Sequence, residues 1–258
     1  MKRYVSLIFI LLLGALLWAQ AGTAAQTPSR FPNGIVNQDQ NDFANMLPIL
    51  DPTKVYVWFD DFNTYAAGDW VISTTENTDT ASEALNDIQF AALVITNATT
   101  DNDDDQLQAA KETLKFVSGK QTWFAARIKI NESTESDWRI GLMVRDTDFI
   151  SAVPEGVLFS KDDGDANIDF SVTNDSTATT ASAVDTIADD TFIELAFYYD
   201  GVSTIHYFTD NSVISTAVTT NLPDTELTVS FGIKNGRAAA DYGPSAMTLD
   251  YIFVAQER

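Results

Sequence analysis

The chain has no cysteine and one histidine in 258 residues. Without cysteine there is no disulfide framework, no thiolate metal site and no thiol nucleophile. With His206 alone, a histidine-cluster metal site is excluded by count. A serine–histidine mechanism would rest on a residue set between Ile205 and Tyr207 in a strand-like run, with no G-x-S-x-G elbow in the chain. Nucleotide fingerprints of the G-x-x-x-x-G-K or G-x-G-x-x-G type are missing as well. Positive charge is scarce: 15 Lys and Arg stand against 37 Asp and Glu, a formal net charge of -22. A field of that sign repels phosphate backbones, which argues against nucleic acid as a partner and favours cations or a basic protein surface.

Long apolar runs are confined to the start. "MKRYVSLIFILLLGALLWAQAGTAAQ" has Lys2 and Arg3, an apolar run from Val5 to Trp18, and small residues around Ala19-Gln20-Ala21. This is the layout of a secretory signal peptide over residues 1–25, with an apolar run short for a membrane span. Residues 26–53 are rich in Pro, Asn, Gln and Asp and show neither the helical nor the strand period. They read as an extended arm with Phe31, Phe43, Met46 and Leu47 available for packing.

Residues 54–258 read as a single domain of strands. Eight segments, at 54–62, 121–131, 137–146, 155–163, 191–200, 203–210, 226–235 and 247–256, have strand length and are rich in β-branched and aromatic residues. In 121–131, Phe124, Ala126, Ile128 and Ile130 fall on one face and Arg127 and Lys129 on the other. Asp163-Gly164 and Asp200-Gly201 carry the composition of tight hairpin turns, and Asn235-Gly236 repeats the signal. No segment beyond the leader has a helical stripe, although "DDDQLQAAKETLKF" leaves room for a turn of helix. The pattern predicts an all-β, two-sheet antiparallel sandwich. "WFDDFNTYAAGDW" (58–70) then reads as strand one, a turn through Gly68 and the entry to strand two.

Candidate chemistry is sparse. Glycoside hydrolysis needs two carboxyl groups at a controlled separation, one of them kept protonated. Asp60 and Asp61 are adjacent and point to opposite faces of a strand, no E-x-D-x-E strand occurs, and Glu194, Asp169 and Asp250 stand apart. "DNDDDQLQAAKE" places Asp101, Asp103 and Asp105 at alternate positions with Glu112 twelfth, like a calcium loop. Gln106 stands where such a loop needs glycine, so a solvated acidic loop competes with loose calcium binding. Trp58, Trp70, Trp123 and Trp138 could stack on sugars, with Trp70 and Trp138 the glycan-stacking candidates; filling the space between sheets competes at each.

"FDDFNTY" and the closing "MTLDYIFVAQ" resemble the first and last strands of concanavalin-A-like lectin and glucanase sandwiches. The resemblance implies a jelly-roll in which the terminal strands pair. It also implies a structural calcium, with Asp250 and, more weakly, Asp61 as ligands. A second resemblance spans nearly all of 28–258. "SRFPNG", "LDPTKVYVWFDDFNTYAAGDW", "GVLFSKDDG", "ELAFYYDG" and "LTVSFGIKNG" look like a group of tailed-phage virion structural proteins. It implies a non-enzymatic, capsid-decorating protein on the virion surface. Its partners would be capsid protein or other virion subunits, it would need no cofactor beyond a structural calcium, and a homo-oligomer is open. The alternative is a lectin-like carbohydrate-binding module with a glycan partner, secreted through the leader.

Overall fold

The computed structural model describes residues 52–77, 80–88, 91–210, 212–218, 220–236 and 243–258. The leader at 1–25, and the expected arm apart from its last two residues, lie outside the described residues.

Among the described residues fifteen strands follow one another, with a single 3-10 turn at Ala67–Asp69. They are β1 (Val55–Asp60), β2 (Trp70–Thr75), β3 (Ser82–Asn86), β4 (Ala92–Thr96), β5 (Asp104–Ala109), β6 (Thr122–Ile130), β7 (Ser136–Met143) and β8 (Gly156–Lys161). The rest are β9 (Asn167–Asn174), β10 (Thr177–Thr186), β11 (Ile193–Tyr199), β12 (Thr204–Thr209), β13 (Ser212–Val218), β14 (Thr228–Asn235) and β15 (Ala246–Glu257). One sheet runs β13-β12-β11-β6-β15-β4-β3, with β1 also paired to β15; the other runs β10-β9-β8-β7-β14-β5-β2. All pairings are antiparallel, and the terminal strands pair from Val55 opposite Glu257 to Asp60 opposite Ile252. We call the sheet containing β15 the first sheet and the one containing β14 the second.

The alternation read in the sequence decides what goes inside. Phe124, Ala126, Ile128 and Ile130 are buried between the sheets, whereas Arg127 and Lys129 stay partly exposed on the outer face. Aromatic rings join the layers: Phe170 of the second sheet stacks on Tyr207 of the first at 4.6 Å and lies 6.0 Å from Phe197. Offset ring pairs of this kind add to the burial of their apolar surface. The glycine turns fall where expected. Gly201 has φ +78° and an added Cβ would lie 3.0 Å from the Lys120 nitrogen, so both conformation and space call for glycine between β11 and β12.

All eight expected strands form. The turn of helix allowed for "DDDQLQAAKETLKF" does not: residues 104–109 are β5, bonded on both sides by β2 and β14. Leu107 turns inward and is fully buried. Pairing on two sides overrides a weak local preference, because it satisfies every backbone group of the segment.

Candidate functional site

β1 is an edge strand, bonded on one side only, and β2 is the edge of the facing sheet. Between them the sandwich is open, and a cavity of ≈ 480 Å³ lies there. Its walls come from the stretch 56–70 and, opposite it, from residues 109–114 with Thr228 and Val229. Tyr56, Trp58 and Asp60 alternate along β1 and so share its inner face. Trp70, the first residue of β2, meets Trp58 edge-on with ring centroids 5.9 Å apart. Trp70 is anchored behind by Phe231 at 5.1 Å. Gly68 and Asp69 come from the 3-10 turn, and Lys111 from the chain leaving β5. The Ala110 amide donates to the Asp69 carbonyl at 2.9 Å, which ties the turn to the opposite wall.

Two carboxyl groups line this cavity. Asp60 is half-buried; burial pushes its carboxyl above the usual carboxylate range, and the charges of Asp61 and Asp69 push the same way. The Phe62 amide, donating to Asp60 Oδ1 at 2.8 Å, opposes the rise and fixes the orientation of the group. Asp69 is exposed at the cavity mouth. The arrangement sets a half-buried carboxyl group whose affinity for the proton is raised, and an exposed one, beside aromatic faces able to grip an apolar ring face. Asp60 lines the cavity, whereas Asp61, past the end of β1, is not among its lining residues. The second cavity carboxyl comes from Asp69, nine residues further on, and chain folding rather than strand periodicity brings it there.

The outer face of the second sheet offers less. Residues 144–155 lie across it: Phe149 and Ile150 pack with Met143 and Leu158 in a small apolar cluster. Gln106 and Gln108, outward on β5, hold this segment down. Gln106 Oε1 accepts from the Ile150 amide at 3.1 Å and Gln108 Oε1 from the Asp146 amide at 2.9 Å. What remains is a groove of ≈ 320 Å³ with Arg139, Ser160, Asp162 and Asp169 on its walls and no aromatic side chain. Arg139 donates to the Phe149 carbonyl at 2.8 Å.

The other sequence candidates scatter. Asp250 forms an ion pair with Arg127 at 2.6 Å, and Asp61 accepts from Asn63 Nδ2 at 2.6 Å. Asp101 is exposed in a turn, whereas Asp103 and Asp105 face inward and are fully buried. Asp103 accepts from the Asn77 and Thr100 amides, each at 3.1 Å. The solvated acidic loop is therefore corrected at these two positions, because strand pairing has turned them into the sandwich. Among the described residues no three acidic or histidine side chains gather where they could hold a metal ion. Trp138 is fully buried, so glycan stacking there is corrected: its position on β7 points it between the sheets. Trp70 is nearly buried but reaches the edge cavity. Trp58 and Tyr56, its partners at that cavity, are alternate aromatics of the first strand run; Tyr56 was not singled out in the sequence, and only the sheet order makes that strand an edge.

A comparison with family models finds no match, and none of the curated proteins matches by sequence. Solved structures do match by shape. An endo-1,3-β-glucanase from Streptomyces sioyaensis superposes with a TM-score of 0.58 at 13% identity, covering 81% of this chain and 99% of that one. A glycoside hydrolase family 16 endo-glucanase from Bacteroides ovatus gives 0.56 at 13%, covering 76% and 99%. An endo-β-1,4-glucuronan lyase from Trichoderma reesei gives 0.52 at 11%, covering 76% and 94%. These identities are low, and the likeness is one of fold. The expectation of a non-enzymatic, capsid-decorating protein is corrected on this point: these three neighbours bear the names of enzymes that cleave glycans, and none of them points to a virion component. The chain folds as a two-sheet antiparallel jelly-roll of the concanavalin-A-like type, the architecture of the family 16 glucanases.

Proposed function

We propose that this protein is a carbohydrate-processing enzyme that cleaves a glycan bound in the edge cavity between β1 and β2. The observation that carries the reading is the meeting of two carboxyl groups, Asp60 and Asp69, with the aromatic walls of Tyr56, Trp58 and Trp70 in one cavity. The fold likeness to glucanases and a glucuronan lyase supports the substrate class.

The roles follow from the environments. A pyranose ring presents an apolar face of C–H groups that packs on indole and phenol rings, while its hydroxyls remain available to polar neighbours. Asp60, whose burial favours the protonated form, donates a proton to the departing glycosidic oxygen. Asp69, solvated and open, stabilises positive charge developing at the anomeric carbon and assists the attack of water. The hydrogen bond from the Phe62 amide keeps the Asp60 carboxyl aimed into the cavity.

The test is the release of reducing ends from a panel of 1,3-, 1,4- and mixed-linkage β-glucans by the purified full chain, with unsaturated products monitored on a uronan. Turnover on at least one polymer is expected. Asp60→Asn should lower it about 10²- to 10⁴-fold, the range of a lost general acid. Trp58→Ala should instead raise KM. No product from the folded wild-type protein on any of these polymers would refute the reading.

A further inference from the structure

The first sheet carries apolar side chains on its outer face. Side chains alternate along each strand, so the pairing register gives the residues that point away from the second sheet. One row across five strands is Phe59, Phe253, Ala125, Ala196 and Phe208; the next is Val57, Ala255, Trp123, Tyr198 and His206. The solvated face of an antiparallel sheet is ordinarily polar. Here most of both rows, with Val55 and Tyr251, form a hydrophobic cluster separate from the main core. Every member of it belongs to the first sheet, so among the described residues no other element contributes an apolar side chain to it.

The face has relief. Ala125 and Ala196 are buried side by side in a trough, with Phe253 at one end and Phe208 at the other. Trp123 and Tyr198, with ring centroids 5.3 Å apart, run alongside it. Phe59, on the edge strand, is 57% exposed and lies 6.3 Å from the Tyr251 ring. Single exposed apolar residues are ordinary, but a contiguous apolar face marks a place where something docks.

The chain reaches this face at its edge. The start of β1 is pinned by Arg258, whose amide donates to the Lys54 carbonyl at 2.7 Å and whose Nε donates to the Pro52 carbonyl at 3.0 Å. Residues 41–51, "NDFANMLPILD", precede that anchor and hold Phe43, Met46, Leu47, Ile49 and Leu50. A segment of that length reaches roughly 36–40 Å when extended. The rows span four strand spacings, roughly 19 Å.

We propose that residues 41–51 fold back over the outer face of the first sheet and seat apolar side chains in the Ala125–Ala196 trough. The tether decides the occupant. A segment anchored at Pro52 faces the trough at an effective concentration on the order of millimolar, which a second copy in dilute solution does not match. A second copy must also give up translational and rotational freedom that the tethered segment has already lost. The inference is independent of the edge cavity, whose lining residues Tyr56, Trp58 and Asp60 lie on the opposite face of β1.

The natural chain has no cysteine, so an introduced disulfide can report the contact. In the full chain, Ala196→Cys, or in a second series Ala125→Cys, is combined in turn with Phe43→Cys, Met46→Cys, Leu47→Cys or Leu50→Cys. Each pair is oxidised with copper–phenanthroline at low protein concentration. A disulfide needs Cα atoms within about 7 Å, so at least one pair in each series should close within one chain, read by mass spectrometry of non-reduced peptides. The same cysteines combined with Ser171→Cys, on the outer face of the second sheet, should not close. Alkylation of the Ala196→Cys thiol should speed up about tenfold or more when Phe43→Ser and Leu47→Ser are added. Closure in neither series, or equal closure with Ser171→Cys, overturns the proposal. A disulfide joining two chains through Ala196→Cys makes the face a dimer interface and overturns it too. Alkylation slowed by a soluble β-glucan, yet indifferent to the two serine substitutions, assigns the face to a glycan and overturns it as well.

Discussion

Lys161 sits at the end of β8 with a side chain almost wholly buried, and replacing it tests how the second sheet is closed off. Its ammonium donates to the carbonyls of Thr134 at 3.1 Å, of Asp162 at 2.9 Å and of Ser136. Burial lowers its affinity for the proton, and the nearby charges of Asp137, Asp165, Asp163 and Glu132 oppose that effect. In Lys161→Met the stem is kept and the three hydrogen bonds are lost. Hydrogen bonds to a charged group are worth about 1.5–3 kcal/mol each. The gross loss is offset by several kcal/mol of ammonium desolvation no longer incurred. Two of the freed carbonyls belong to exposed residues that water can reach, whereas Ser136 is fully buried. A net loss of about 3 kcal/mol follows, close to the measured range for removing one partner from a buried charged network. For a domain of this size that lowers Tm by roughly 6–12 °C. The assay is urea and thermal unfolding followed by circular dichroism, with Lys115→Met as the control. Lys115 pairs with Glu226 at 3.3 Å in an exposed position, where about 0–1 kcal/mol is at stake. A Lys161→Met loss under about 1 kcal/mol, or one equal to the control, would falsify the account of a buried ammonium closing the strand ends.

Gly141→Ala on β7 should destabilise severely, because its Cβ would lie 2.3 Å from the Val157 carbonyl oxygen and 2.7 Å from the Leu158 Cα; failure to recover folded protein, or a loss above about 3 kcal/mol in urea, is expected. Asp105 has its folded-state affinity for protons raised, so its contribution is fully present below about pH 4 and is lost as pH rises towards 8. Relative to Asp105→Asn, the wild type should therefore lose about 1.4 kcal/mol per pH unit over that window, with about 6 kcal/mol as the upper bound; parallel pH–stability curves would contradict this. Because Asp60 must carry a proton to act, kcat should fall as pH rises through its elevated range, and Asp60→Asn should lack that limb; a wild-type profile with no alkaline limb would remove Asp60 from the role.

What the sequence determined is the layering. Alternation in segments such as 121–131 forces one face of each strand inward, and Asp-Gly pairs at 163–164 and 200–201 force hairpins, so an all-β sandwich was legible without coordinates. Weakly apolar edge strands such as β3, "SEALN", and β10, "TATTASAVDT", were not singled out, because their pairing partners hold them rather than any pattern of their own. The aromatic stretch 58–70 was visible as strand, turn and strand. Its identity as one side of a cavity was not, since that depends on β1 and β2 being the open edges of different sheets. The pairing of Asp60 with Asp69 follows from the same separation across a turn, which no strand period encodes. Inward and outward are likewise undecided for an acidic run until the register is known. Asp101, Asp103 and Asp105 look alike in sequence, and only the bonding of β5 between β2 and β14 leaves one in solvent, one satisfied by amides and one buried alone. Local periodicity is a property of neighbours along the chain; a site is a property of neighbours in space, set by long-range pairing that the residues concerned do not announce.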